Sequence, residues 1–576
     1  MDNNFTRYNT ADALLEALQE MGVSFLFSNL GSDYPAIIEG LAKAEAVNLE
    51  RPEVIICPHE IVAMGAAHGY TLLTGKAQGV FVHTDVGTQN LGGSIHNAFR
   101  SRVPVFIFAG ETPYTMEGEL PGSRNNYVNH LQDVFDQRGI VRPYVKWDYE
   151  VRTGKNVKKI VYRALQLAHS DPKGPVYVTA AREVLEEEVT ATIDSPKLWK
   201  PLENIPLPSY GVEEIVTALA KATNPIIITS YLGRDAKAVE QLVRFSETLA
   251  IPIVEQHTNY MNFPGNHPLH LGFQGGEFVS NADVILVIDS DSPWVTTLNR
   301  PNEDCNVYYI DIDPLKEDIP LWYIPSSRFF KSNSCDALQQ LNDFVSTMEL
   351  DEEKIKERFE TLSGIHNKQR DQWREREQLT NEGQISAEWL TACIRDVVDN
   401  ETIIINETIT NSAIVLQHLP RNKPETMFVN GGSSLGFGGG AAFGAKLAKP
   451  DKTIVHLTGD GSYLLGVPSS LYWMSRRYSV PFLTVIYNNQ GWNATKQNLL
   501  RLYPEGIAKR DDRYWVNFEQ PADLAKIAEA AGGVYALTVT APEDLQEALR
   551  VGMEAVKNGR TAVINVYLPK ISNQIN

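Results

Sequence analysis

Two apolar runs in the last third of the chain, residues 453–457 and 481–487, each lead into a polar turn rich in glycine. The first turn reads Gly459-Asp460-Gly461-Ser462 and the second Asn488-Asn489-Gln490-Gly491. Short apolar strands alternating with helical patterns imply a parallel sheet. Ligands of open α/β sheets sit beyond the carboxyl ends of the strands. This arrangement lets a carboxylate, Asp460, and a carboxamide, Asn489, meet at one hard cation. Mg2+ suits such a place because it prefers oxygen ligands and rarely receives a full protein cage. Glycine lets backbone N–H groups come close to the phosphate oxygens that complete its shell.

A Gly-Asp-Gly turn followed at this distance by Asn-Asn resembles the signature of the thiamine diphosphate (ThDP) enzymes. The resemblance implies ThDP and Mg2+ as cofactors. It assigns Asp460, Asn489 and Gly491 to the metal, and Gly459, Gly461, Ser462 and Asn489 to the bound coenzyme.

The rest of the chain divides into regions that suit that family. Residues 1–190 alternate strands and helices, with strands expected at 23–27, 54–57, 79–82 and 103–108. A stretch rich in charge and proline follows, from Glu186 to Ser209. A second α/β pattern begins near Pro225 and runs to about 345, and a densely charged helical stretch (352–377) reads as a solvated connector. The expected fold is α/β: three Rossmann-like parallel-sheet domains, pyrimidine-binding (1–190), central (205–345) and diphosphate-binding (380–576).

Thiamine chemistry also needs a carboxyl group beside the aminopyrimidine N1′, and burial would keep a shareable proton on it. Glu60 is the candidate, in Pro58-His59-Glu60 after the second strand, where a small-residue helix begins. Ser433-Ser434-Leu435-Gly436-Phe437 is similar to the segment that wedges an aliphatic side chain under the coenzyme. The resemblance gives that role to Leu435 and offers the carbonyl of Ser433, often glycine in relatives, to the 4′-amino group. Asn406-Glu407-Thr408 resembles the loop that encloses the diphosphate, with Thr408 and Thr410 as contacts.

His83 ends the third strand. Benzoylformate decarboxylase-like enzymes carry a histidine in the matching place and use it for proton transfer, a task an imidazole performs near neutral pH. Asp85 and Gln89 are its expected neighbours. Gln132, followed by Arg142 and Lys146, resembles an acetolactate synthase segment with a pocket glutamine. Trp492 is a candidate substrate wall, Lys496 a candidate holder of carboxylate or phosphate, and His267 a further pocket candidate. His96 and His456 read as packing residues.

The whole pattern looks most like acetolactate synthase-type carboligases, which decarboxylate a pyruvate-like 2-oxo acid and add the carbanion to a second carbonyl. The alternative is a nonoxidative 2-oxo acid decarboxylase or aldehyde lyase. A noncatalytic ThDP-binding paralogue is disfavoured because Glu60, Asp460 and Asn489 are all present. The central region offers only Leu271-Gly272-Phe273-Gln274-Gly275-Gly276-Glu277 against a flavin-holding segment, so no FAD is expected. The family sets the first region of one subunit against the third region of another, which implies a homodimer or homotetramer with interfacial active sites. A net charge of −19 argues against nucleic acid or an anionic membrane as partner. Four scattered cysteines without metal-ligand spacing read as reduced thiols in a cytoplasmic protein.

Overall fold

Strands buried on both faces read as unbroken apolar runs, and this chain builds its sheets from such runs: Val-Ile-Leu-Val-Ile at 284–288 is buried at every position. The computed structural model describes residues 7–518 and 522–572 and contains three sheets whose strands all pair in parallel. The first holds β1 (Phe25–Asn29), β2 (Glu53–Ile56), β3 (Gly79–Val82), β4 (Phe106–Glu111), β5 (Trp147–Val151) and β6 (Val176–Ala181), in the order β2-β1-β3-β4-β6-β5. The second holds β7 (Pro225–Thr229), β8 (Ile253–Glu255), β9 (Val284–Ile288), β10 (Asn306–Asp311) and β11 (Arg328–Lys331), in the order β11-β10-β9-β7-β8. The third holds β12 (Ile403–Glu407), β13 (Met427–Val429), β14 (Ile454–Gly459), β15 (Leu483–Asn488), β16 (Tyr535–Val539) and β17 (Ala562–Tyr567), in the order β13-β12-β14-β15-β17-β16.

Counted from its own first strand, the third sheet repeats the order of the first. His83, after β3, and Asp460, after β14, therefore occupy equivalent places in the two domains. Strand pairing continues up to Gly459, opposite Tyr487, and the chain then turns directly into the helix Asp460–Leu465. The Gly-Asp-Gly turn is thus a strand end and a helix start, with the aspartate at the junction.

The first and third domains meet through two helices, Glu60–Thr74 and Phe437–Ala448. Both are lined with glycine and alanine because their backbones touch. A Cβ at Gly69 would lie 2.1 Å from the carbonyl oxygen of Ala441, and one at Gly444 would lie 1.9 Å from that of Ala66. One apolar cluster passes through this contact, from Phe27 and Ile55 to Ile403, Ile454 and Val563.

The charged stretch expected as a solvated connector is instead bound to the central domain as the helix Glu352–Arg374. Its outer face is charged, but Leu362, His366 and Trp373 are buried. Arg358 donates to the carbonyls of Leu249 (3.2 Å) and Ala222 (2.8 Å), which end two central-domain helices. Arg370 donates to Gly265 O at 2.7 Å. The central unit therefore reaches past residue 345.

The first and central domains are joined by buried charge. Arg102 makes a two-pronged pair with Asp291 (2.6 and 3.0 Å), and its guanidinium lies 4.3 Å from the Tyr231 ring centre. Lys316 bonds Asp311 (2.7 Å) and Asp291 (3.0 Å), and the Tyr231 hydroxyl donates to Asp311 at 2.6 Å. Removing one member of such a cluster strands the others, at a cost of about 3 kcal/mol or more. Arg102→Ala should therefore lower the urea unfolding midpoint clearly, whereas loss of the exposed partner in Arg550→Ala should barely move it.

Candidate active site

The carboxyl ends of β14 and β15 bring the first motif together. Asp460 Oδ1 accepts from the N–H of Gly461 (2.8 Å), and Oδ2 accepts from the N–H of Gly491 (3.0 Å). Asn488 points inward, donating to Asn565 Oδ1 at 2.9 Å and accepting from the N–H of Gln490 at 3.1 Å. That turn leaves Asn489 Oδ1 buried without a hydrogen-bond partner. Gly491 passes so close to Val516 that a Cβ would sit 2.1 Å from its carbonyl oxygen. At Gly461 a Cβ would meet the Trp492 ring at 2.1 Å.

This arrangement fits a divalent cation. Burial pushes the Asp460 carboxyl up to about 6, opposed only by backbone N–H groups. A buried acceptor with no donor and a buried carboxylate with no cation are both costly, and one metal ion would satisfy both. Among the described residues no group of three or more His, Cys, Asp or Glu side chains is placed to hold a metal. A cation here would need further oxygens from a ligand, which is how Mg2+ is usually held.

The loop before the helix Phe437–Ala448 stands beside this edge. Asn97 clasps Ser434 from both sides, accepting from its N–H (3.0 Å) and donating to its carbonyl (2.8 Å). Ser433 has φ +59, a conformation that suits glycine, and its side chain is exposed. Leu435 is half-buried next to it. Glu407 caps the same helix, accepting from the N–H groups of Phe437 (2.9 Å) and Gly438 (2.8 Å).

In the first domain Glu60 is buried at the start of its helix, with His59 as the N-cap. Asn29, at the end of β1, donates to its Oε1 (2.9 Å), and Asn90 donates to Oε2 (3.3 Å). His83 contacts Asp33 through Nδ1 (2.5 Å) and Gln132 through Nε2 (3.1 Å). Residues 29, 33, 60, 83 and 132 thus converge on one edge of the first sheet.

All three domains have counterparts in one family of known proteins. Models described as the N-terminal TPP binding domain, the central domain and the C-terminal TPP binding domain of thiamine pyrophosphate enzymes match residues 8–140, 212–325 and 408–566. The chain belongs to the thiamine pyrophosphate enzymes. It is 23% identical to the acetolactate synthase large subunit of Buchnera aphidicola subsp. Acyrthosiphon pisum, over 97% of this chain and 94% of that one. It is 24% identical to acetolactate synthase isozyme 3 large subunit of Escherichia coli, over 96% and 94%. Among solved structures it is similar in fold to a thiamine diphosphate-dependent 4-hydroxybenzoylformate decarboxylase of Rhodococcus jostii (TM-score 0.78, 20% identity, 98% of this chain and 99% of that one). It is also similar to a putative thiamin diphosphate-dependent enzyme of Mycobacterium smegmatis (TM-score 0.77, 19% identity, 98% and 100%).

Other residues singled out in the sequence are spent elsewhere. The Thr408 hydroxyl and N–H both donate to Asn406 Oδ1 (2.8 and 3.1 Å), so both serve the loop. Lys496 bonds the carbonyl of Ile571 and lies over the Tyr514 ring, so it ties down the carboxyl-terminal segment. His267 bonds Glu247 in the central domain (3.1 Å). Arg142 pairs with Asp136 and Asp148 on the surface, and Lys146 donates to the carbonyls of Leu167 and Ser170 (both 2.6 Å). Asp33, Asn29, Asn90 and Asn97 join the site without a motif that marks them in the sequence. Asp33 follows Gly31-Ser32 in the turn after β1, and that position was its only available signal.

Glu407 is a second buried acid of the third domain, and burial pushes it up to about 7 despite its backbone N–H partners. The folded chain therefore holds this proton more firmly than the unfolded chain, and stability falls as pH rises from about 4.5 to about 7. Comparing urea midpoints at about pH 5 and pH 7.5, the native protein should lose about 2 kcal/mol more than Glu407→Gln, which has no proton to release.

Proposed function

We propose that this chain is a ThDP- and Mg2+-dependent enzyme that decarboxylates a pyruvate-like 2-oxo acid and joins the resulting carbanion to a second carbonyl, in the manner of acetolactate synthase. The observation that carries the cofactor assignment is that buried Asp460 and the unpartnered Asn489 Oδ1 follow the neighbouring strands β14 and β15 at one sheet edge. Asp460, Asn489 and Gly491 would hold the metal. Gly459, Gly461 and Ser462 would receive the diphosphate, and Ser433 and Leu435 would face the coenzyme's rings. When bound, ThDP supplies a stabilised carbanion at the carbon that loses carbon dioxide. Glu60, held by two carboxamides in a buried place, is suited to share a proton with a ring nitrogen. Full-length similarity to acetolactate synthase large subunits supports the ligation step.

One observation favours a second reading, nonoxidative decarboxylation. His83 stands at the first-domain edge with a carboxylate on one ring nitrogen, as a proton donor would. Capture of the carbanion by a proton releases an aldehyde, whereas capture by a carbonyl gives a ligated product.

The active site would be shared by two subunits. Among the described residues, the hydrogen bonds of Glu60 go to Asn29 and Asn90 and none reaches the third domain. Apolar side chains stand exposed near both halves, at Tyr127, Leu131 and Phe135 beside Gln132 and at Leu464 and Leu465 beside Asp460. A second copy would cover them. No flavin is assigned to the central domain. Tyr231, Lys316 and Arg102 take up part of the carboxyl edge of β7, β9 and β10, where such sheets take nucleotides, and a cavity lined by Ser230, Gln256 and Asp291 opens beside them. The four cysteines are free, which suits a reducing compartment such as the cytoplasm.

Incubation with ThDP, Mg2+ and a panel of 2-oxo acids and aldehydes, with products identified, tests the reaction. An acyloin or acetolactate-type product is expected, aldehyde alone would establish the second reading, and no carbon dioxide from any 2-oxo acid would refute both. Asp460→Ala should abolish Mg2+-dependent ThDP retention measured by equilibrium dialysis. Glu60→Gln should retain the coenzyme but lose roughly 10²–10⁴-fold in turnover.

A further inference from the structure

The strand ends of the first domain are shaped around one contact that the cofactor assignment does not use. His83 and Asp33 meet at 2.5 Å, and the Asp33 carboxyl is 3% exposed while the His83 side chain is 20% exposed. Three strand ends make room for the pair. A Cβ at Gly31, after β1, would lie 2.0 Å from His83 Nδ1, and one at Gly110, in β4, would lie 2.0 Å from Asp33 Oδ2. The N–H of Thr84 reaches the second carboxylate oxygen, Oδ2, at 3.3 Å. To do so Thr84 adopts φ +37, a strained conformation for a β-branched residue. Strain of this kind persists where surrounding contacts impose it, and it gathers at functional sites. The Tyr34 hydroxyl, next to Asp33, reaches the carbonyls of Val82 (2.7 Å) and Phe108 (3.1 Å), so β3 and β4 are tied to the same turn.

The other ring nitrogen is presented with equal care. Gln132 faces His83 Nε2 through its amide oxygen at 3.1 Å. Its segment is pinned where β6 ends: Arg182 donates to the carbonyls of Gly122 (2.8 Å) and Ser123 (2.6 Å), and Glu183 accepts from the N–H of Thr115 (2.8 Å). The carboxylate on one side and the amide oxygen on the other are both acceptors, so the arrangement suits a ring with a proton on each nitrogen.

We propose that Asp33 is the positioning residue for His83: its carboxylate fixes the ring through Nδ1, favours the imidazolium, and leaves the Nε2 proton, shared with Gln132, as the one the site can deliver to substrate. This rests on the reading of His83 as a proton donor. The charged groups around the ring agree with it. Asp33 faces it from the turn after β1 and Asp85 from the helix Thr84–Asn90, while the Arg182 guanidinium reaches the Ser32 carbonyl, next to Asp33, at 3.4 Å. The Asp33 hydrogen bond is the main cause raising the His83 pKa above its ordinary value, and burial opposes it. Without the carboxylate the ring should lose its proton at lower pH.

The test uses the full-length protein loaded with ThDP and Mg2+ and labelled at histidine for NMR. The His83 signal is assigned by its absence in His83→Gln. In Asp33→Asn the His83 titration midpoint should fall by about 1 pH unit or more, and Asp33→Glu should restore part of the shift. An unmoved midpoint in Asp33→Asn overturns the proposal. Kinetics supply the second arm. Asp33→Asn should lower kcat more than 10-fold with little change in KM, with the loss growing as pH rises, and it should cost little further in a His83→Gln background. An equal loss in both backgrounds would mean that Asp33 acts on the fold and not through His83, which also overturns it. If His83→Gln alone changed neither rate nor product, the donor reading would fail, and the NMR arm would still decide whether Asp33 governs the ring.

Discussion

Two helices touching backbone to backbone set the frame on which both halves of the candidate site are mounted. Glu60 opens one helix, and the Ser433–Leu435 loop leads into the other. Their glycines and alanines leave no side chain that can yield, so the separation of the axes is set by peptide groups and not by rotamers. Glu407 holds the start of the second helix, and Asn97 of the first domain clasps the loop before it. The loop that would meet the coenzyme's rings is thereby fixed from the domain that carries Glu60.

The first and third domains share one strand order but carry different chemistry on it. After the third strand of each stands either His83 or Asp460. Asp460 accepts from backbone N–H groups at the edge where Asn489 Oδ1 has no partner, a place that would suit a cation. His83 is surrounded by acceptors, an environment completed by its own protons. Under the proposed function, one of these two equivalent sheet edges would hold charge and the other would move a proton. A coenzyme with a phosphate end and a basic ring end calls for that division.

The central domain shows how the same architecture can be turned to structure. Arg102, Lys316 and Tyr231 gather at its sheet edge over Asp291 and Asp311, and the arginine comes from the first domain. The charges neutralise one another in a buried place, so the edge serves as a joint between domains. The helix Glu352–Arg374 adds a second brace by covering carbonyls that would otherwise end two helices unpaired.

From the sequence alone, three parallel-sheet domains and the Asp460, Asn489 and Glu60 positions were legible, because apolar strand runs and glycine-flanked polar turns are local patterns. The ends of strands were less legible. The aspartate expected in a turn begins a helix because pairing with β15 carries the strand through Gly459. The charged stretch at 352–377 looked solvated because most of its residues are; a few buried contacts, such as Trp373 and the Arg358 caps, decide its place. Gln132 and His83 were read from separate segments, and only the folded chain joins them and sets Asp33 on the other side of the ring. Local patterning determined which residues lie at strand ends. Which of those ends face one another depends on sheet order and on the close helix crossing, contacts between residues hundreds of positions apart that no local pattern encodes.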